Sequence, residues 1–266
     1  MTAVPLCVPF ARRVEAKAAG AVWQVQERYW ACDSSLLRTD AYSRLKPFVP
    51  RMYRPDLEGP ALRPWLIPSP LWGKNLRAIL STEEWDRVRR HAYEESGRRC
   101  RACGGRGPRW PVEADEGFAY DDEGLTHTLM GVIGLCPTCH EVRHWGKTVM
   151  KGREQAALDQ LMRVNGWSVE TAAAAVDEAF ERWSWRSEQT WTSDYSWVTR
   201  THGIAIPANA DARANAANLQ IIGEAPISHT TWPIATDEMT AHDHVRSSVF
   251  TPMRRLGKFI GGLFHR

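Results

Sequence analysis

Long apolar runs are what this chain most plainly lacks. Across 266 residues no stretch approaches the roughly 18 consecutive apolar positions of a membrane span, so no helical membrane anchor is expected. The segment Met1 to Phe10 has no basic stretch ahead of an apolar one, and no secretory leader is expected from it. Neither sign of charge dominates. The 34 Lys and Arg against 31 Asp and Glu leave a formal +3, too little by itself to imply a nucleic-acid partner. No internal repeat is present. What is there is an ordinary globular composition, 43% hydrophobic and 24% charged, well outside the disordered class. Such a chain is long enough to bury a core without cross-links. A cytoplasmic location is the expectation, with the six cysteines as thiols or metal ligands rather than disulfides.

Five segments separate by composition and periodicity. Residues 1–36 read as a small module: a strand over Val4 to Phe10, a short helix closed by Gly20, then a hairpin over Ala21 to Cys32. Residues 37–80 hold seven of the sixteen prolines and read as an extended connection. Residues 81–150 open with the capping-box pattern Ser81-Thr82-Glu83-Glu84. Trp85, Val88 and Ala92 then recur on one helical face before Gly97. Residues 151–200 give two amphipathic helices, the first closed by Gly166 and the second capped by Ser168. Trp183, Trp185, Trp191 and Trp197 suit the core of that segment, base stacking being the alternative. Residues 201–266 shift to Ala, Asn, Thr and Pro and read as a flexible tail, most of it over 208–250. The tail ends in a basic amphipathic helix carrying Met253, Leu256, Phe259, Ile260, Leu263 and Phe264. That helix offers a surface for a protein partner or for the protein's own body, with a membrane surface as the weaker alternative.

The modest net charge hides a local concentration. Between Asp86 and Arg109 stand eight arginines against three acidic residues. All are Arg, whose guanidinium grips phosphate through two parallel hydrogen bonds. A solvated helix face is the competing reading. Because the run leads into a cysteine pair, Arg87, Arg90, Arg98, Arg99 and Arg101 are the candidates for nucleic-acid contact.

Four cysteines form two knuckles, Cys100-x-x-Cys103 and Cys136-x-x-Cys139. A two-residue gap lets both thiolates of a knuckle reach one ion, and two knuckles complete a tetrahedron. Four thiolates close the coordination sphere, so this Zn2+ is structural. Cys7 and Cys32 are left as buried thiols. His140 and His144 follow at a spacing of four, which stacks them on one face of a helix. They either bind a second, divalent metal or form a packed or solvent-facing pair. Acidic residues Glu113, Asp115, Glu116, Asp121, Asp122 and Glu123 arrive from the segment between the knuckles, and a carboxylate facing two imidazoles could hold an ion with water positions open.

The run Arg99 to Gly105, the stretch Val112 to Asp122, and Leu135 to Gly146 together resemble the zinc-supported HNH endonucleases, which are ββα-metal nucleases. The resemblance covers about residues 80 to 150. It implies a hairpin histidine as general base, an asparagine that orients it, and helix histidines on the catalytic metal, Mg2+ or another divalent ion. His140 matches the metal-ligand position and His144 the second ligand of some members. Two positions depart from the pattern: Asp115 stands where the base would be, and Gly131 where the asparagine would be. Aspartate is a weak base at neutral pH, so Asp115 is either a base or a third ligand. His127 lies nearby at a different spacing. A second resemblance joins Val8 to Ala11, Glu15 to Ala21, Trp23 and Tyr29-Trp30 to a small module found in proteins of plasmids and conjugative elements.

The expected fold is therefore α+β: an HNH-like ββα core with a four-cysteine zinc site, a small N-terminal α/β module and a helical C-terminal extension with a flexible tail. The implied function is DNA binding with phosphodiester hydrolysis through Asp115, His140 and His144. The alternative is a catalytically inactive adaptor for DNA or a protein partner, of mobile-element origin.

Overall fold

A computed structural model describes residues 2–222, and they form an α+β fold with two three-stranded sheets. The first sheet belongs to the N-terminal module. It contains β1 (Ala3–Pro5), β2 (Val22–Gln24) and β3 (Tyr29–Asp33) in the order β1-β3-β2, with α1 (Arg13–Ala18) between its first two strands. β1 is shorter than the expected run to Phe10. The Cys7 N–H donates to the Phe48 carbonyl at 2.7 Å instead of to β3, and the chain turns into a 3-10 helix at Phe10–Arg12. Gly20 takes φ +103°, which frees the chain to turn from α1 into β2. The module's core joins Val4, Leu6, Val8 and Ala16 to Leu45, Phe48 and Val49, so its packing reaches beyond residue 36.

The proline-rich connection holds only α2 (Tyr42–Leu45), α3 (Leu76–Ile79) and short 3-10 turns. It is nonetheless fixed in place. The N–H groups of Arg51 and Met52 donate to the carbonyls of Arg101 and Ala102 at 2.8 and 3.0 Å, hanging the connection on the loop of the first knuckle.

α4 (Thr82–Glu95) begins with the full capping box. The Ser81 hydroxyl accepts from the Glu84 N–H at 3.2 Å, and the Glu84 carboxylate accepts from the Ser81 N–H at 2.9 Å. Trp85, Val88 and Ala92 are buried as their spacing requires. Beyond α4, Gly97 adopts φ +58° with its missing Cβ aimed at the Val8 backbone, whose nitrogen would lie 2.6 Å from it.

Strands β4 (Glu113–Asp121) and β5 (Thr126–Leu135) form a long antiparallel hairpin. Their register slips between Gly117 and Phe118, where Met130 is the extra residue and is turned outward. Period-two alternation gives β4 two distinct faces. Ala114 and Phe118 pack toward α3 and α4, whereas Glu113 and Asp115 face the other way. The hairpin leads into α5 (Pro137–Arg143), which breaks at His144 before α6 (Trp145–Met150). Next come α7 (Glu154–Asn165), ended by left-handed Gly166, and α8 (Val169–Ser187), capped by Ser168.

The last elements correct two readings. Within the segment expected to be helical, β6 (Thr192–Asp194) pairs in parallel with β5 at Thr126 to Thr128 and completes the second sheet. Three residues are too few for a periodicity to register. Part of the expected flexible tail is also ordered. After α9 (Ser196–His202), α10 (Ala210–Ile222) buries Ala210 and Ala214 against α3, and the Arg213 Nη1 donates to the Ile79 carbonyl at 2.7 Å. Its alanine-rich sequence carries high helix propensity with almost no amphipathic stripe. The expected basic helix around Met253 to Phe264 lies outside the described residues.

Of the four tryptophans weighed for stacking, Trp191 is buried and Trp183 and Trp197 half-buried, while Trp185 is exposed. Among the described residues no helix is long and apolar enough to cross a membrane.

Candidate metal centres

The hairpin and α5 place both cysteine pairs together. The Sγ atoms of Cys100, Cys103, Cys136 and Cys139 all lie within 4.8 Å of one another, and all four residues are buried. A zinc ion with bonds of about 2.3 Å sets its sulfurs about 3.8 Å apart. Cys103 and Cys136 stand at 3.7 Å. Two donors support the sulfurs: the Gln160 amide reaches Cys139 Sγ at 2.9 Å, and the Gly105 N–H reaches Cys103 Sγ at 3.4 Å. Thiols this close divide their protons unequally. Hydrogen bonds from its neighbours drive Cys103 far below the thiol range, while burial holds Cys100 above it. The cluster sits in a core built with Leu135, Val142, Trp145, Leu158 and Leu161, so the knuckles and α5 to α7 share one interior. Donor set, spacing and burial fit a zinc ion, which the cluster could hold. Cys7 and Cys32 stay apart as buried thiols, both pushed up to about 11, chiefly by burial.

A second constellation lies on the Glu113/Asp115 face of β4. One ligand atom each from Asp115, His140 and His144 falls within 4.8 Å of the others. Asp115 Oδ1 is 3.7 Å from His140 Nε2 and 3.6 Å from His144 Nε2. Those separations exceed a hydrogen bond. They suit neighbouring ligands on one ion at about 2.1 Å. The break after α5 leaves the two rings edge to face, 4.5 Å between centroids.

Two of the three ligands are held by a second group. Glu113 Oε2 lies 2.6 Å from His140 Nδ1, which places the proton there and turns the Nε2 lone pair toward Asp115. Arg143 Nε donates to Asp115 Oδ2 at 3.1 Å and leaves Oδ1 for the imidazoles. His144 is pushed down to about 4, first by burial and then by His140, so it is a neutral imidazole at pH 7. Asp115 itself is 2% exposed.

Sequence reasoning singled out Asp115, His140 and His144, and the fold brings all three together. It missed the part played by Glu113, whose signal was its place two residues from Asp115 on the same strand face. Glu116 is the neighbour in sequence yet faces away. It accepts from the Leu76 N–H at 3.0 Å and is pushed up to about 7 by burial. Gly131 lies opposite Gly117 and near Trp197, with no side chain to orient anything. His127 pairs with Tyr120, five positions along β4 from Asp115, and stacks on Phe118 at 3.9 Å.

The five arginines expected at a nucleic-acid surface meet four different surroundings. Arg87 and Arg90 share the exposed face of α4 with Glu83, Asp86 and Glu94, and Arg90 is paired to Asp86 at 3.1 Å. Arg98 is exposed, whereas Arg99 turns inward, donating to the Gly104 carbonyl at 2.6 Å with its guanidinium over Tyr29. Arg101 donates to the Pro47 carbonyl at 3.0 Å.

No family model, curated protein or solved structure matches the chain.

Proposed function

We propose that this protein binds DNA and hydrolyses phosphodiester bonds with a divalent ion held by Asp115, His140 and His144. In this reading the hairpin and α5 are an HNH-like ββα core, and a structural zinc on the four cysteines maintains it. The carrying observation is the convergence of one carboxylate and two imidazoles at ligand spacing, with His140 braced by Glu113 and Asp115 by Arg143. A divalent ion supplies Lewis-acid polarisation of a phosphoryl oxygen. The chain's own work is to hold the ligands. Glu113 fixes the His140 tautomer, burial keeps His144 unprotonated, and Arg143 orients Asp115 and adds a positive charge beside it. Asp115 thus acts as a ligand and not as a base, since both its oxygens are already committed to cationic or ligand neighbours.

The test is nicking of supercoiled plasmid with Mg2+ or Mn2+. The wild type should cleave, and His140→Ala should lose at least a hundredfold in rate while keeping its circular dichroism spectrum. No cleavage with any divalent ion, or cleavage undiminished in His140→Ala, would overturn the reading.

One observation favours the non-catalytic adaptor. Among the described residues no free imidazole stands beside the centre to act as base, because His127 is 2% exposed and engaged with Phe118. DNA binding with no cleavage under any metal would establish that alternative.

A further inference from the structure

The proline-rich connection forms one wall of a cleft of about 440 Å3 beside the Asp115 centre. Arg51, Arg54, Arg63, Arg101 and Arg143 line it, and no carboxylate does. Single-signed lining is unusual for a solvated surface, where charges alternate as they do on α4. Two of these guanidiniums are neutralised, Arg54 by Asp56 at 2.9 Å and Arg143 by Asp115. Arg101 meets only neutral groups, the Pro47 carbonyl and the Cys7 thiol. Arg51 and Arg63 are exposed, with no side-chain hydrogen bond or ion pair among the described residues. Three positive charges therefore face a concave surface without anionic partners.

The same cleft is apolar between its arginines. Leu57, Leu62 and Ile133 line it, together with the half-buried Trp65 ring. Ile133 is the register partner of Asp115, and Arg143 joins the two sites, bonding Asp115 while its guanidinium lies 4.7 Å from the Trp65 ring centre. Past Arg63 and Trp65 the surface continues into a second hollow of about 310 Å3 against α8. A duplex offers mainly its phosphates and hides its base faces. An unpaired strand offers both, and this surface has a partner for each.

We infer that this cleft is the track along which a single nucleic-acid strand reaches the Asp115 centre. Arg51, Arg63 and Arg101 take its phosphates, and the exposed Ile133 takes its bases together with Trp65, whose ring already packs on Arg143 and Tyr120. The direction of travel rests on the proposed phosphodiesterase reading; the binding itself does not.

The experiment uses the full chain without added divalent ion. Fluorescence anisotropy follows a labelled 20-nucleotide DNA single strand and the matching duplex between 50 and 200 mM salt. The wild type should bind the single strand at least tenfold more tightly than the duplex. Arg51→Ala/Arg63→Ala removes two exposed, unpartnered side chains. It should weaken single-strand binding at least tenfold and flatten the salt dependence by about 1.4, from about 0.7 per lost phosphate contact. Arg12→Ala/Arg89→Ala, two surface arginines outside the cleft that are paired to Glu15 and Asp86, should change neither. Unchanged affinity in the cleft variant, or a duplex bound as tightly as the strand, overturns the inference. Failure of the two readings is distinguishable. Strand binding that depends on Arg51 and Arg63 without plasmid cleavage keeps the track and removes the hydrolysis. Cleavage with no dependence on these arginines does the reverse.

Discussion

His127 offers a prediction whose size can be worked from the structure. The ring is buried among Phe118, Tyr120 and Leu129, stacked on Phe118 with an interplanar angle of 12°, and its Nδ1 has no partner. A protonated imidazole there would lose its hydration with nothing in return. Burial first, then Lys74 and Arg186, push its pKa from the ordinary 6.5 down to about 3. The unfolded chain takes up a proton as pH falls through 6.5, whereas the folded chain does not until near 3. The stability contributed by the neutral ring is therefore complete above 6.5 and is lost progressively as pH falls toward 3. At about 1.4 kcal/mol per pH unit, the 1.5 units between 6.5 and 5 amount to about 2 kcal/mol. His127→Phe keeps a flat ring against Phe118 and removes the titrating group. Urea unfolding at pH 8, 7, 6 and 5, followed by circular dichroism, should show the wild type losing about 2 kcal/mol more than the variant between the extremes. Any titration of the four clustered cysteines affects both proteins alike and cancels in the comparison. Parallel stability curves for the two would refute the argument.

Three more outcomes are expected. Purified protein should contain about one tightly held zinc per chain by elemental analysis, and Cys136→Ser should lose it and fail to fold. A zinc site is worth about 10–16 kcal/mol in small peptides, as much as a typical domain's entire stability; a folded, zinc-free chain would sink the assignment. Glu113→Ala should weaken Mn2+ binding at the Asp115 centre ten- to a hundredfold by calorimetry, because His140 loses the carboxylate that fixes its tautomer. Gly97→Ala should cost well over twice what Gly166→Ala costs in denaturant unfolding. Both glycines have left-handed φ, +58° and +67°, worth about 1 kcal/mol or more for a side chain. Only at Gly97 would the new Cβ meet backbone, the Val8 nitrogen at 2.6 Å, whereas Gly166 has nothing within 4 Å. Equal costs would mean that the close approach of the N-terminal module to α4 is looser than described.

Much of this was legible because it is local. Ser81 and Glu84 cap α4 from three residues apart, and the knuckles, His140 and His144 are set by spacings of three and four. Asp115 was harder: only the hairpin register and the strand parity bring it against α5. What escaped is non-local. Arg51 and Arg63 lie twelve residues apart in a proline-rich stretch, and the bonds of Arg51 and Met52 to the knuckle loop fifty residues on help to place them in one cleft. Arg99 looked like its neighbours in an arginine run, yet its aliphatic stem is folded inward and its charge spent on Gly104 and Tyr29. β6 has three polar residues, Thr192, Ser193 and Asp194, and owes its extended shape to the edge of β5.

That late strand has a consequence in time. β6 begins more than fifty residues after β5 ends, yet it supplies the parallel partner of Thr126 to Thr128, next to the ring of Trp191 against Tyr120. A ribosome adding about 5–20 residues per second would leave that edge bare for several seconds after the hairpin itself has emerged. The centre at Asp115 sits at the opposite end of the hairpin and needs nothing beyond His144 for its ligands. During synthesis the end that carries Asp115, His140 and His144 can thus be in place while the tip still offers an open edge to other chains. Translation that stalls between α5 and β6 should favour aggregation over folding.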